Sequence, residues 1–390
     1  MTPNRTTRVL ILGGGFGGVY TALTLEKLLK RELRRGEIEI GLVSRDNYLT
    51  FQPMLPEVVS GSIGILDTIA PIRRLCPRTN LYTRAIEAID LDRRRVTLAA
   101  GVGSRQLELE CDHLVIALGS ATSFAGQAGL VEHALPFKYL GDALALRNHA
   151  IHALEEADIE REPTCRTGLL TFVVAGGGFS GVEAVAELND FVRSAARSFR
   201  NIGPEEIRVV LLHAGGLILP ELPKSLAEFA QKLLMKRGVE VRLNTRLAGA
   251  TAEAALLSGG ERIETRTLVS TVPSGPNPVV APLACPKDKG RIVTNSHLEV
   301  PGHPRFWATA PSSWTPARAI LARPRPNTPS ARDGAPPRTS RQACGAPRNA
   351  LSPSRRSARW DRWVTARRSP RCSGSNSLVF SRGGSGAPCT

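Results

Sequence analysis

Two short stretches constrain this chain more than anything else in it. An apolar run, Arg8-Val9-Leu10-Ile11-Leu12, leads directly into Gly13-Gly14-Gly15-Phe16-Gly17-Gly18, and residues 21–31 then carry a helical pattern. Farther along, the run at 169–175 leads into Gly176-Gly177-Gly178-Phe179-Ser180-Gly181, with a helical pattern over 182–196. In a strand–glycine–helix unit the first glycine turns the chain and the second lets a pyrophosphate approach the backbone. The third lets helix pack closely on strand, and the helix N-terminus faces the anion. One such motif can be an ordinary glycine-rich turn; two in one chain predict an α/β fold with two Rossmann-like dinucleotide-binding domains. The expected ligands are two dinucleotides, or one dinucleotide and one flavin.

Each unit should continue to a second strand whose end meets the adenosine ribose, commonly with an acid. Here the strand at 38–43 ends at Ser44, and the strand at 207–212 ends at His213. Ser44 can exchange a hydrogen bond with a ribose hydroxyl. His213 leaves NADH against NADPH open, and no Arg cluster suited to a 2′-phosphate follows within 214–220.

Composition narrows the class. The chain has 390 residues, 42% of them hydrophobic, enough for two or three domains with real cores. Its longest apolar runs fall short of the ~18–20 residues of a membrane-spanning helix. No signal-peptide pattern opens it, so a cytoplasmic protein is expected. The seven cysteines show no C-x-x-C pair, and His113, His133, His149 and His152 lie at no ligand spacing, so unpaired thiols and no metal site are expected.

The net charge of +16 invites a nucleic-acid reading. Residues 311–390 hold fifteen Arg and two Asp with neither Lys nor Glu, whereas the rest of the chain has 36 basic and 33 acidic residues. The part that can fold is therefore nearly neutral, and nucleic acid is not an expected partner. The last eighty residues also hold eleven Pro and thirteen Ser without amphipathic period, so a disordered basic tail is expected. Such a composition is what a GC-rich gene yields when read out of frame. Re-reading each codon from its third base, with free choice of synonymous codons, lets 326–334 encode Gln-His-Ala-Ile-Arg-Glu-Gly. Sequencing the gene across codons 300–330 is expected to reveal a one-base slip; an intact frame would make the tail genuine.

With these residues in hand, the stretch from about Arg8 to Thr309 resembles the type II NADH dehydrogenases, single-subunit flavoproteins that pass electrons from NADH through FAD to a quinone. The segment 47–57, with Phe51-Gln52-Pro53, is similar to the family's approach to the isoalloxazine, and 114–120 to the turn closing its first flavin segment. The resemblance implies FAD contacts at Gly13, Gly15, Phe16, Gly18, Ser44, Gln52, Pro53 and Gly119. It implies NADH contacts at Gly176, Gly178, Gly181 and His213. Glu183 is expected near nicotinamide and flavin as the catalytic residue, orienting substrate or relaying a proton. Glu187 lies one turn on along the same helix face, where repulsion between the two carboxylates could raise one pKa. The implied division is an FAD domain from 1–160 and 270–310, an NAD(P)H domain at 161–269, and a tail at 311–390.

The family also implies NADH and quinone as partners, a respiratory role, and peripheral attachment to the cytoplasmic face of the membrane, and it admits a homodimer. This chain departs from it after Thr309, where Ala310-Pro311-Ser312 stands in place of a Gly-Asp pair and the anchoring helices do not follow. Poor flavin retention and low solubility are expected in consequence. Two other readings share the same residues. One is a soluble ferredoxin- or rubredoxin-reductase-like flavoenzyme, and the other is an inactive frameshifted product whose basic tail attracts nucleic acid or membranes.

Overall fold

The structure, a computed structural model, describes residues 5–309 apart from 123, 125 and 272–274. The expectations for Ala310-Pro311-Ser312 and for the tail lie outside the described residues. Two parallel sheets organise the rest. In the first, β1 (Thr7–Leu12) lies beside β2 (Ile38–Ser44), which lies beside β3 (Asn80–Thr83). A three-stranded antiparallel meander (Ile86–Asp90, Arg95–Leu98, Leu107–Glu110) then returns the chain to β4 (His113–Ile116), on the other side of β1. The second sheet repeats this path. In chain order it comprises β5 (Ala134–Pro136), β6 (Thr171–Ala175), β7 (Arg208–Leu212), β8 (Val239–Arg242) and β9 (Thr267–Ser270). The order across it is β5-β9-β6-β7-β8, and a second antiparallel meander (Leu247–Ala250, Ala254–Leu257, Arg262–Glu264) again comes before the returning strand. The antiparallel pair β10 (Glu299–Val300) and β11 (His303–Ala308) extends the first sheet beside β4.

Strands buried on both faces account for the continuous apolar runs. All five residues of β6 are buried, as are the last four of β1. Both ligand-facing ends lie where Rossmann sheets bind, at the carboxyl ends of the strands beside the point where strand order reverses: β1 against β4, and β6 against β9.

The helices differ from the sequence pattern in their starts. Helix α1 spans Phe16–Leu28 and not 21–31, with Gly15 as its extended N-cap. The apolar run at 169–175 is not one strand: Glu162 and Pro163 open a helix, Pro163–Leu170, that takes its first two residues, and the strand begins at Thr171. Proline suits the first helical position, and the Glu162 carboxylate accepts from the Thr164 N–H at 3.0 Å.

One packing feature positions everything that follows. Helix α2 (Leu55–Ser60) belongs by sequence to the first unit, yet Leu55, Val58 and Val59 are buried in the core of the second. That core includes Leu146, Ala150 and Leu154 of α3 (Leu140–Ile159), Leu188 and Val192 of α4 (Phe179–Ala196), and Phe172 of β6.

Candidate active site

The two glycine loops have one geometry. Gly13 has φ +114° and Gly176 φ +123°, a left-handed region that a side chain would strain. A Cβ on Gly18 would lie 1.8 Å from the Gly13 carbonyl oxygen, and one on Gly181 would lie 1.8 Å from that of Gly176. At the middle positions the reverse holds, because a Cβ on Gly15 or Gly178 would meet nothing within 4 Å. Both middle glycines are N-caps in extended conformation, so no capping side chain covers the N-terminus of α1 or of α4. The matching continues in the backbone, where Gly13 N–H donates to Val43 O at 2.8 Å and Gly176 N–H to Leu212 O at 2.9 Å. Each loop thus offers open space at a helix N-terminus where a pyrophosphate must approach, and the residues fit that group twice.

The strand-end residues prop these loops. Ser44 is buried, and a Cβ on Gly14 would lie 2.2 Å from its Oγ. His213 lies against the corresponding Gly177, whose N–H donates to Nδ1 at 3.2 Å. This propping is not visible in the glycine spacing, which says nothing of what lies beneath the middle residue.

On the first unit's side, Phe16 stands edge-on to Phe51, with ring centroids 5.8 Å apart, and Gln52 and Pro53 follow in an exposed 3-10 turn. Gly119 is left-handed, with φ +64° and open space around its missing Cβ. The structure brings these parts together through a residue that sequence reasoning missed. Lys138 accepts a hydrogen bond from Gln52 Nε2 at its carbonyl (3.4 Å), while its Nζ donates to Ser120 Oγ at 2.6 Å. Burial and then the Arg45 guanidinium hold its pKa down, with Asp142 opposing.

Helices α2 and α4 carry the acids. Burial pushes the Glu183 carboxyl up to about 7, and the Glu57 carboxylate adds to the effect. Glu183 as a whole residue is nevertheless exposed, so the burial acts on its carboxyl and not on the full side chain. The perturbing partner is therefore Glu57, from the docked helix, and not Glu187 one turn along. Arg147 secures that docking: its Nη1 donates to Val59 O at 2.8 Å while the guanidinium lies 4.6 Å from the Phe191 ring centroid. Arg147→Met should cost about 1–3 kcal/mol of stability from the lost hydrogen bond and cation–π contact. Denaturant unfolding of the two proteins checks this, and an unchanged midpoint would refute it.

The repeated cradle, with both acids in place, now meets its relatives. The family model "Pyridine nucleotide-disulphide oxidoreductase" matches residues 7–310. The chain belongs to this family. Its relatives include type II NADH:quinone oxidoreductases. It is 32% identical over 328 residues to the type II NADH:quinone oxidoreductase NdhA of Mycobacterium tuberculosis, covering 79% of this chain and 67% of NdhA. Over 308 residues it is 32% identical to the demethylphylloquinone reductase NdbB of Synechocystis, covering 77% of this chain and 70% of NdbB. The fold matches that of Plasmodium falciparum NDH2 in complex with NADH with a TM-score of 0.72 at 20% identity, over 79% of this chain and 64% of that one. The oxidoreductase thus spans about two thirds of the length of these relatives.

Despite the family's description, the four cysteines among the described residues are free thiols. Burial pushes Cys76 and Cys111 up to about 11, so neither is an ionised nucleophile near neutral pH. Among the described residues no helix is long and apolar enough to cross a membrane.

Proposed function

We propose that this oxidoreductase is an FAD-dependent NADH dehydrogenase that delivers electrons to a quinone. The observation that carries the reading is the pair of matching glycine cradles joined by α2, a helix of the first unit built into the core of the second. FAD, when bound, accepts hydride equivalents from NADH and gives up electrons to the quinone.

The chain's own groups do the binding and holding. Gly13, Gly15 and Gly18 with the α1 N-terminus hold the FAD pyrophosphate, and Gly176, Gly178 and Gly181 with the α4 N-terminus hold that of NADH. Ser44 and His213 support these loops at the ribose ends. Phe16, Gln52, Pro53 and Gly119 line the flavin side, with Lys138 bridging Gln52 to Ser120, the residue after Gly119. Glu183 is the catalytic residue, and with its carboxyl raised to about 7 it can hold or release a proton near neutral pH, where quinone reduction consumes protons.

The domains follow the sheets in this reading. Because β5 joins the second sheet, we place the start of the NADH unit at Ala134 instead of residue 161, and its end at Ser270. The FAD unit is then 5–133 with 271–309. A membrane quinone has to be met at the bilayer, so the reading extends to peripheral attachment at the cytoplasmic face, and it admits a homodimer.

The test is NADH consumption by the full chain supplied with FAD and a water-soluble quinone. Consumption that requires both additions is expected. Consumption indifferent to quinone would contradict the quinone assignment, and none at all would contradict the dehydrogenase.

A further inference from the structure

In a Rossmann unit the residue at the end of the second strand reads the ribose 2′ position. A carboxylate there accepts a hydrogen bond from the 2′-hydroxyl of NADH and repels the 2′-phosphate of NADPH. The second unit of this chain ends its second strand at His213, and the surrounding geometry decides what that imidazole can offer.

Its Nδ1 is occupied as an acceptor by the Gly177 N–H at 3.2 Å. A neutral ring in that arrangement carries its proton on Nε2, an assignment made from the hydrogen bond. The ring is wedged between two glycines, since a Cβ on Gly177 would lie 2.5 Å from its Cγ and one on Gly215 would lie 2.9 Å from Nε2. The Gly177 N–H, the one hydrogen bond of this ring among the described residues, sets its orientation. Nε2 has no hydrogen-bond partner among the described residues, and the residue is half-buried. The strand end thus carries an imidazole with one uncommitted nitrogen where a discriminating site presents a carboxylate acceptor.

The neighbouring chain supplies no substitute acid. Residues 214–220 contain neither Asp nor Glu, and neither do 243–246. The two loops are joined by Thr245 N–H donating to His213 O and Asn244 N–H to Gly215 O, both at 2.9 Å. Arg242, next to this join, is engaged by Glu240 and Glu261. Arg246 on the same loop is exposed and forms no ion pair among the described residues. The two loops therefore contribute one uncommitted imidazole nitrogen and the Arg246 cation, with no acid in 214–220 or 243–246.

We propose that His213 makes the second dinucleotide site accept the 2′-phosphate of NADPH as well as the 2′-hydroxyl of NADH. The proposal rests on the reading of that site as the nicotinamide-nucleotide site and names the substrates it admits. An N–H donor can serve either a hydroxyl or a phosphate oxygen, and 214–220 and 243–246 hold no carboxylate to repel the dianion.

The test uses adenosine-half probes, so that it does not depend on flavin content. The full chain is titrated calorimetrically with 5′-ADP and with 2′,5′-ADP. The wild type should bind the two within about tenfold of each other. His213→Glu should weaken 2′,5′-ADP relative to 5′-ADP by about tenfold or more, through like-charge repulsion. His213→Gln, which keeps both an acceptor for Gly177 and a donor, should leave the ratio within about threefold. Wild-type preference for 5′-ADP of about a hundredfold, or a ratio unmoved by His213→Glu, overturns the proposal while leaving the nucleotide site standing. Folded protein that binds neither probe overturns the site reading itself and the proposal with it.

Discussion

Gly178→Ala is expected to leave the protein as stable as the wild type and to weaken NADH binding by about thirtyfold or more, roughly 2 kcal/mol. Gly178 has φ −80°, which alanine adopts freely, and a Cβ there would meet nothing within 4 Å. Removing a glycine also narrows the unfolded ensemble, so folding stability should hold or rise by up to about 1 kcal/mol. The new methyl occupies the space in which pyrophosphate must approach the loop, so the loss falls on the ligand alone. Gly181→Ala gives the opposite pattern, because its Cβ would lie 1.8 Å from the Gly176 carbonyl oxygen and α4 must move off β6. A cost of about 1–3 kcal/mol or more in stability is expected there, with NADH binding lost as well. Thermal unfolding and NADH titration of both variants check the pair. Equal destabilisation by the two substitutions would mean that the open space at Gly178 is not a ligand space.

Glu183→Gln is expected to lower quinone turnover by about a hundredfold, within the usual range for an acid–base group, and to flatten its pH profile. Burial and, second, Glu57 raise the wild-type carboxyl from 4.5 to about 7. The wild-type profile should therefore bend near pH 7, and Glu57→Gln should move that bend to lower pH. The sign for stability follows from the same shift. A carboxyl whose folded pKa is raised favours the fold while protonated, and that contribution fades as pH rises from 4.5 through about 7. Glutamine does not titrate, so the variant should gain stability relative to wild type across that interval. The gain should be small, because the side chain is partly open to water. A bend near pH 7 that persists in Glu183→Gln would assign the titration to another group.

The glycine cradles and their strands could be read from the chain because each is a local property. Spacing sets Gly13, Gly15 and Gly18 apart as turn, open position and close packing, and the contacts of Gly176, Gly178 and Gly181 repeat those roles. The helix starts escape the sequence pattern because no capping side chain marks them; a glycine in extended conformation stands at the N-cap at Gly15 and Gly178. The run at 169–175 was divided because Pro163 and the Glu162 cap outweigh the apolar pattern of its first two residues. What the chain could not disclose is long-range. The docking of Leu55, Val58 and Val59 into the second core is what sets Glu57, and not the nearby Glu187, to perturb Glu183. The Lys138 bridge between Gln52 and Ser120 likewise joins segments with no shared period or motif.

Anaerobic addition of NADH to the full chain loaded with FAD tests the central claim most directly. The account predicts that the visible absorbance of the bound flavin bleaches on NADH addition and returns when a quinone is added. Bound flavin that stays oxidised in the presence of saturating NADH would contradict it.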